Sequence, residues 1–87
     1  MSLPVFDSAE DAAKALRGAI ETAIGGARVE VVPTSPGHFE IQVVSDQFAG
    51  KSMVQQQQQV YAAIKHLMAG NDAPVHAIDR LKTGAGD

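Results

Sequence analysis

The stretch His38-Phe39-Glu40-Ile41-Gln42-Val43 decides the fold, because polar and apolar side chains alternate along it without a break. Such alternation is typical of a half-buried β-strand, in which successive side chains point to opposite faces. Upstream, Arg28-Val29-Glu30-Val31-Val32 alternates in the same way, and Pro33-Thr34-Ser35-Pro36-Gly37 is rich in turn-forming residues. Two strands joined by a short Pro/Gly loop predict an antiparallel hairpin.

An amphipathic helix is predicted on each side of this hairpin. Upstream, Ser8 offers an N-cap, and apolar residues recur at helical spacing until Gly25-Gly26 ends the pattern. These apolar positions are Ala12, Leu16, Ala19, Ile20, Ala23 and Ile24. Downstream, Ser52-Met53-Val54-Gln55 predicts a capping box and a helix that continues to about Met68, with Gln57 facing the core in part.

A third strand is predicted from Val75 to Leu81, and Asp46 to Lys51 is expected to be a turn with room for one helical turn. The resulting order is helix, strand, strand, helix, strand. Because each helix has one apolar stripe, both must cover the same face of the sheet. We therefore predict an α+β two-layer sandwich with a three-stranded mixed sheet, in one domain over residues 8–83, after a leader at 1–7 and before a flexible tail at 84–87.

Composition excludes several classes of function. The chain has 87 residues, no cysteine and a formal net charge of -3. The missing cysteines exclude disulfides, thiol nucleophiles and an iron–sulfur site held by this chain's own thiolates, and they fit a cytoplasmic protein. No stretch predicts a signal peptide or a membrane span. Asp46, Asp79 and the histidines are scattered and no phosphate-binding glycine loop is present, so we do not expect an enzyme.

Four short motifs, in order and spacing, resemble the BolA family. They are Gly37-His38-Phe39-Glu40-Ile41-Gln42-Val43-Val44-Ser45, Phe48-Ala49-Gly50-Lys51-Ser52, Val60-Tyr61 and Val75-His76-Ala77-Ile78. The similarity covers roughly Val29 to Thr83. It implies a fold related to the class II KH domain, in agreement with the predicted order of elements.

The resemblance also implies a function. BolA-like proteins pair with monothiol glutaredoxins and share a [2Fe-2S] cluster, one iron of which is held by the glutaredoxin cysteine and a glutathione. The other iron takes the histidine of the final strand, matched here by His76, and a Cys or His from the loop between the first two strands. This implies a non-enzymatic adaptor in iron–sulfur trafficking or iron sensing, with no cluster expected on the isolated monomer.

The second ligand stays open at this point. The hairpin loop is short and lacks a cysteine, as in a short-loop branch of the family, and its one imidazole is His38 at the end of the loop. The sequence fits His38 equally well as a metal ligand and as an ordinary strand residue. Imidazole suits iron, and two imidazoles cannot complete a cluster, so the site depends on a partner or on a homodimer. His66 is expected on the solvent side of the second helix.

The alternative function is a DNA-binding transcriptional regulator with a KH-like fold. Its candidate contacts are Lys51, Lys65, Arg80 and Lys82. Against it, KH domains grip the backbone with a Gly-x-x-Gly loop, and no glycines in the body of the domain have that spacing. The run Gln55 to Gln59 also leaves the main helix without the positive charge that phosphate binding needs. A third possibility is a self-associating module that uses an exposed sheet edge.

Overall fold

The helices and strands follow the predicted order. In the computed structural model, which describes residues 9–86, helix α1 spans Ala9–Ala23, strand β1 spans Arg28–Ser35 and strand β2 spans His38–Val44. A 3₁₀ turn at Asp46–Phe48 precedes helix α2 (Met53–Met68), and strand β3 covers Ala77–Gly84. The predicted leader, the Ser8 cap and Asp87 lie outside the described residues.

The three strands form one mixed sheet in the order β1-β2-β3, with β1 antiparallel and β3 parallel to β2. On β2, Phe39, Ile41 and Val43 are buried, whereas Glu40 and Gln42 on the opposite face are exposed. The buried face packs against α1 and α2. The predicted α+β two-layer sandwich is therefore confirmed, and the elements within residues 9–86 leave the other face of the sheet open.

Strand β1 is longer than predicted. The expected end at Val32 is wrong, because the pairing with β2 continues through Pro33, which lies opposite Phe39, to Ser35. Proline lacks a backbone N–H, but it is tolerated in a strand at the edge of a sheet, and β1 is such a strand. The connection to β2 consequently shrinks to Pro36-Gly37.

The predicted bounds of β3 are also wrong at both ends. Val75 is fully buried, but its backbone N–H donates to the carbonyl of Leu67 at the end of α2 and not to the sheet. At the other end the strand continues past Leu81 to Gly84. Gly84, which was predicted to begin the tail, therefore still belongs to β3, and Thr83 before it is buried, with its hydroxyl donating to Oε1 of Gln56 at 2.7 Å.

The helices form where capping and periodicity predict them. In α1, Ala12, Leu16 and Ile20 are buried, and Ile24 just beyond the helix is buried too. The predicted Ala23 contribution is wrong, since that residue is exposed. None of the helices within residues 9–86 is long and apolar enough to cross a bilayer.

Helix α2 begins with the predicted capping box. The Gln55 N–H donates to the Ser52 hydroxyl, and the Ser52 N–H donates to the Gln55 side chain. Gln57 is half-buried, as predicted, and its amide donates to the Leu81 carbonyl at 3.3 Å. Gln56 was not expected in the core, but its amide donates to the Lys51 carbonyl at 2.9 Å and joins α2 to the preceding turn.

Candidate metal-binding site

His76 lies in the connection between α2 and β3, and the residue is exposed. Its predicted place inside the strand is wrong by one residue. The buried Val75 anchors the connection on one side, and the His76 backbone N–H donates to the carbonyl of Gly37 at 2.8 Å on the other. Among residues 9–86 no side-chain hydrogen bond or ion pair of His76 is present. The backbone is therefore fixed while the imidazole has no partner within the described chain.

The hairpin turn lies directly against the ring of His76. Gly37 has a φ of +78°, which favours glycine, and Pro36-Gly37 matches a type II turn with proline at its second position and glycine at its third. A Cβ on Gly37 would lie 2.8 Å from Cγ and 2.9 Å from Nδ1 of His76. Glycine at this position therefore permits both the turn and the close approach of the imidazole.

His38 begins β2, and its side chain is 39% exposed on the open side of the sheet. Its Nδ1 lies 2.9 Å from Oδ1 of Asp79, and the Thr34 hydroxyl donates to Oδ2 of the same carboxyl at 2.9 Å. These hydrogen bonds, with that of His38 foremost, hold the pKa of the Asp79 carboxyl below its usual value. Asp79 is therefore a carboxylate at neutral pH, and His38 is oriented by it.

A bulge in β3 makes this contact possible. Phe39 lies opposite Ile78 and Glu40 lies opposite Arg80, so Asp79 is an extra residue in the parallel pair. A β-bulge changes the direction of a side chain without ending the strand. As a result, Asp79 and Arg80 are both exposed although they are consecutive.

The structure brings the backbones of His38 and His76 together. Ala77 lies opposite His38 in the sheet. The residues just before them, His76 and Gly37, are joined by the backbone hydrogen bond from the His76 N–H to the Gly37 carbonyl. Neighbouring strands are about 4.8 Å apart, so the two histidines belong to one end of the sheet. Within residues 9–86 no three His, Cys, Asp or Glu side chains are placed to hold a metal together. His66 is exposed on α2, as predicted.

The four basic residues of the alternative function are not on one surface. Arg80 and Lys82 line the open face of the sheet, where they lie opposite Glu40 and Gln42. Lys51 precedes α2, and its ammonium donates to the Gln59 side chain at 2.7 Å. Lys65 is on α2, in the other layer of the sandwich. The open face therefore mixes both signs of charge, and phosphate binding depends on clustered positive charge.

Sequence reasoning missed Asp79, Thr34 and the contact of Gly37 with the His76 ring. One signal was present: the polar pair Asp79-Arg80 interrupts the alternation between Ile78 and Leu81. A bulge produces this pattern of two consecutive polar residues between apolar positions that face the core. No local pattern, however, points to Thr34, which is 45 residues from Asp79 in the sequence.

Comparisons with known proteins agree with this fold. The family model described as BolA-like protein matches residues 8–85, so the chain belongs to the BolA-like family. No curated protein sequence matches the chain.

Solved structures of BolA proteins are similar to it. A bolA protein homologue from Coxiella burnetii is 27% identical, with 90% of each chain covered and a TM-score of 0.67. BolA1 from Mus musculus is 32% identical over 83% of this chain and 64% of that chain, with a TM-score of 0.62. The XC975 protein is 36% identical over 85% of this chain and 88% of that chain, with a TM-score of 0.57.

Proposed function

We propose that this protein is a non-enzymatic adaptor that pairs with a monothiol glutaredoxin and contributes His76 and His38 to a shared [2Fe-2S] cluster. Membership of the BolA-like family supports an adaptor or regulator. The observation that carries the cluster role is the placement of His76: its backbone is held against the hairpin turn, while the residue is exposed and its ring has no hydrogen-bonding partner among residues 9–86.

The donor set of this chain fits half of a cluster. A [2Fe-2S] cluster needs two ligands on each iron, and protein clusters are known in which two histidines replace two cysteines on one iron. This chain has no cysteine and has two histidines at one end of its sheet. The thiolates for the other iron would come from the glutaredoxin cysteine and a glutathione.

The chemistry of imidazole suits a cluster that has to be passed on or sensed. Replacing thiolates by imidazoles raises the reduction potential of the cluster. Imidazole also binds iron only through an unprotonated ring nitrogen, so protons compete with iron for this ligand when the pH falls. We therefore place the protein in iron–sulfur trafficking or iron sensing.

Reconstitution with the partner tests the proposal. The protein is mixed with a monothiol glutaredoxin, iron, sulfide and glutathione, and its visible circular dichroism is compared with that of the glutaredoxin homodimer. A new spectrum is expected for the wild type and for His66→Ala, which removes an exposed imidazole elsewhere. His76→Ala should lose the new spectrum. An unchanged spectrum on mixing, or one that His76→Ala leaves intact, would contradict the proposal.

A further inference from the structure

Each oxygen of the Asp79 carboxylate has one side-chain hydrogen-bonding partner on the open face of the sheet. Oδ2 accepts the hydroxyl of Thr34 and Oδ1 lies 2.9 Å from Nδ1 of His38. The three residues come from three different strands, β1, β2 and β3. This arrangement holds the carboxylate in one orientation, and through it the imidazole of His38.

The chemistry of the pair determines where the proton of His38 is. An ionised carboxylate can only accept hydrogen bonds, so the hydrogen between Nδ1 and Oδ1 must belong to Nδ1. In a neutral imidazole with Nδ1 protonated, Nε2 carries the free lone pair. Nε2 of His38 has no hydrogen-bonding partner among residues 9–86.

Stability alone does not account for this pair. Asp79 and His38 are 42% and 39% exposed, and even with His38 protonated an ion pair this accessible would contribute little to folding. The bulge that turns Asp79 toward His38 interrupts the ladder between β2 and β3. Bulges are common beside functional sites because they redirect a side chain.

We infer that Asp79 is a positioning residue which, supported by Thr34, holds His38 in the Nδ1–H tautomer and so presents Nε2 as the atom that binds metal. Metal-binding histidines generally donate their second ring N–H to a carboxylate or carbonyl, which fixes the ring and raises its basicity. The inference rests on the proposed function for the identity of the metal. The tautomer itself is a property of the metal-free protein.

The first experiment therefore uses the metal-free protein. Long-range ¹H–¹⁵N correlation spectra, recorded at alkaline pH, distinguish the two neutral tautomers of each histidine. We expect the Nδ1–H form for His38 in the wild type but not in Asp79→Asn, whose amide N–H can donate to an unprotonated Nδ1. Asp79→Ala should lose this preference. Glu40→Ala, which removes an exposed carboxylate from the same face, should keep it. An Nε2–H form in the wild type would overturn the inference.

The second experiment asks whether the orientation matters to the metal. In the glutaredoxin mixture, the concentration of partner needed to develop the heterodimer spectrum should rise roughly 10- to 100-fold for Asp79→Ala, the usual effect of removing a carboxylate behind a ligating histidine. It should be unchanged for Glu40→Ala. Equal behaviour of Asp79→Ala and the wild type would refute the link to metal binding. If the wild type forms no new spectrum but His38 has the Nδ1–H form, the proposed function fails and the tautomer assignment stands.

Discussion

Replacing Gly37 by alanine should destabilise the protein through two separable effects. The first is the backbone: at a φ of +78° an L-residue costs about 1–2 kcal/mol relative to glycine. The second is the ring of His76, because the new Cβ would lie 2.8 Å from its Cγ, where an ordinary carbon contact is about 3.5–4.0 Å. Overpacking in a core costs about 1–3 kcal/mol, and because His76 is exposed we expect the lower end, about 1 kcal/mol, which gives a total loss of about 2–3 kcal/mol.

The chain offers a matched control for the backbone effect. Gly50 has a φ of +79°, and a Cβ there would meet nothing within 4 Å. Gly50→Ala should therefore lose only the 1–2 kcal/mol that belongs to the left-handed conformation. Any cost of Gly37→Ala above that of Gly50→Ala belongs to the contact with His76.

A double-mutant cycle then identifies the colliding side chain. His76→Ala removes the Cγ and Nδ1 atoms at 2.8 and 2.9 Å and leaves the Cβ, whose contact at 3.2 Å is milder. Gly37→Ala should therefore cost about 1 kcal/mol less in a His76→Ala background than in the wild type, as is usual for residues in contact. The free energy of unfolding is measured by urea denaturation monitored by far-ultraviolet circular dichroism. If the two costs are equal, the ring does not occupy this space and the reasoning is refuted.

Three further predictions concern other parts of the molecule. Thr83→Val keeps the shape but leaves the buried Gln56 oxygen without its donor, so urea unfolding should show a loss of about 1–3 kcal/mol, whereas Thr83→Ser should stay close to the wild type. Equal stability of the two variants would contradict the buried hydrogen bond. Ser52→Ala removes half of the capping box and should lose about 1 kcal/mol in the same assay, with Ser52→Thr as the control that retains a cap. Finally, duplex DNA is titrated at low salt with the wild type and with a variant in which Lys51 and Lys65 are neutralised. We expect no binding that depends on these two lysines, because the four candidate basic residues are divided between two layers. Salt-dependent binding that the variant loses would restore the DNA-binding alternative.

Much of the fold could be predicted because its signals are local. The alternation on β2 and the capping box of α2 each depend on residues within a few positions of one another. Errors arose where a partner distant in sequence overrides the local pattern. The local pattern predicts that the third strand ends at Leu81, but the strand continues to Gly84, and Thr83 is buried because Gln56 satisfies its hydroxyl across 27 residues. Pro33 looked like a turn residue, and it stays in β1 because that strand is at the edge of the sheet.

For the candidate site, the sequence by itself determined the histidines, the absence of cysteine and the glycine of the hairpin turn, and the metal site completed by a partner stays a prediction from them. Only the tertiary structure decided what surrounds them. The parallel pairing of β2 with β3 sets the Gly37 turn against His76, and the bulge in that pair turns Asp79 toward His38. The physical reason is that strand register and bulges arise from pairing between segments about 40 residues apart, which side-chain periodicity within either segment does not encode.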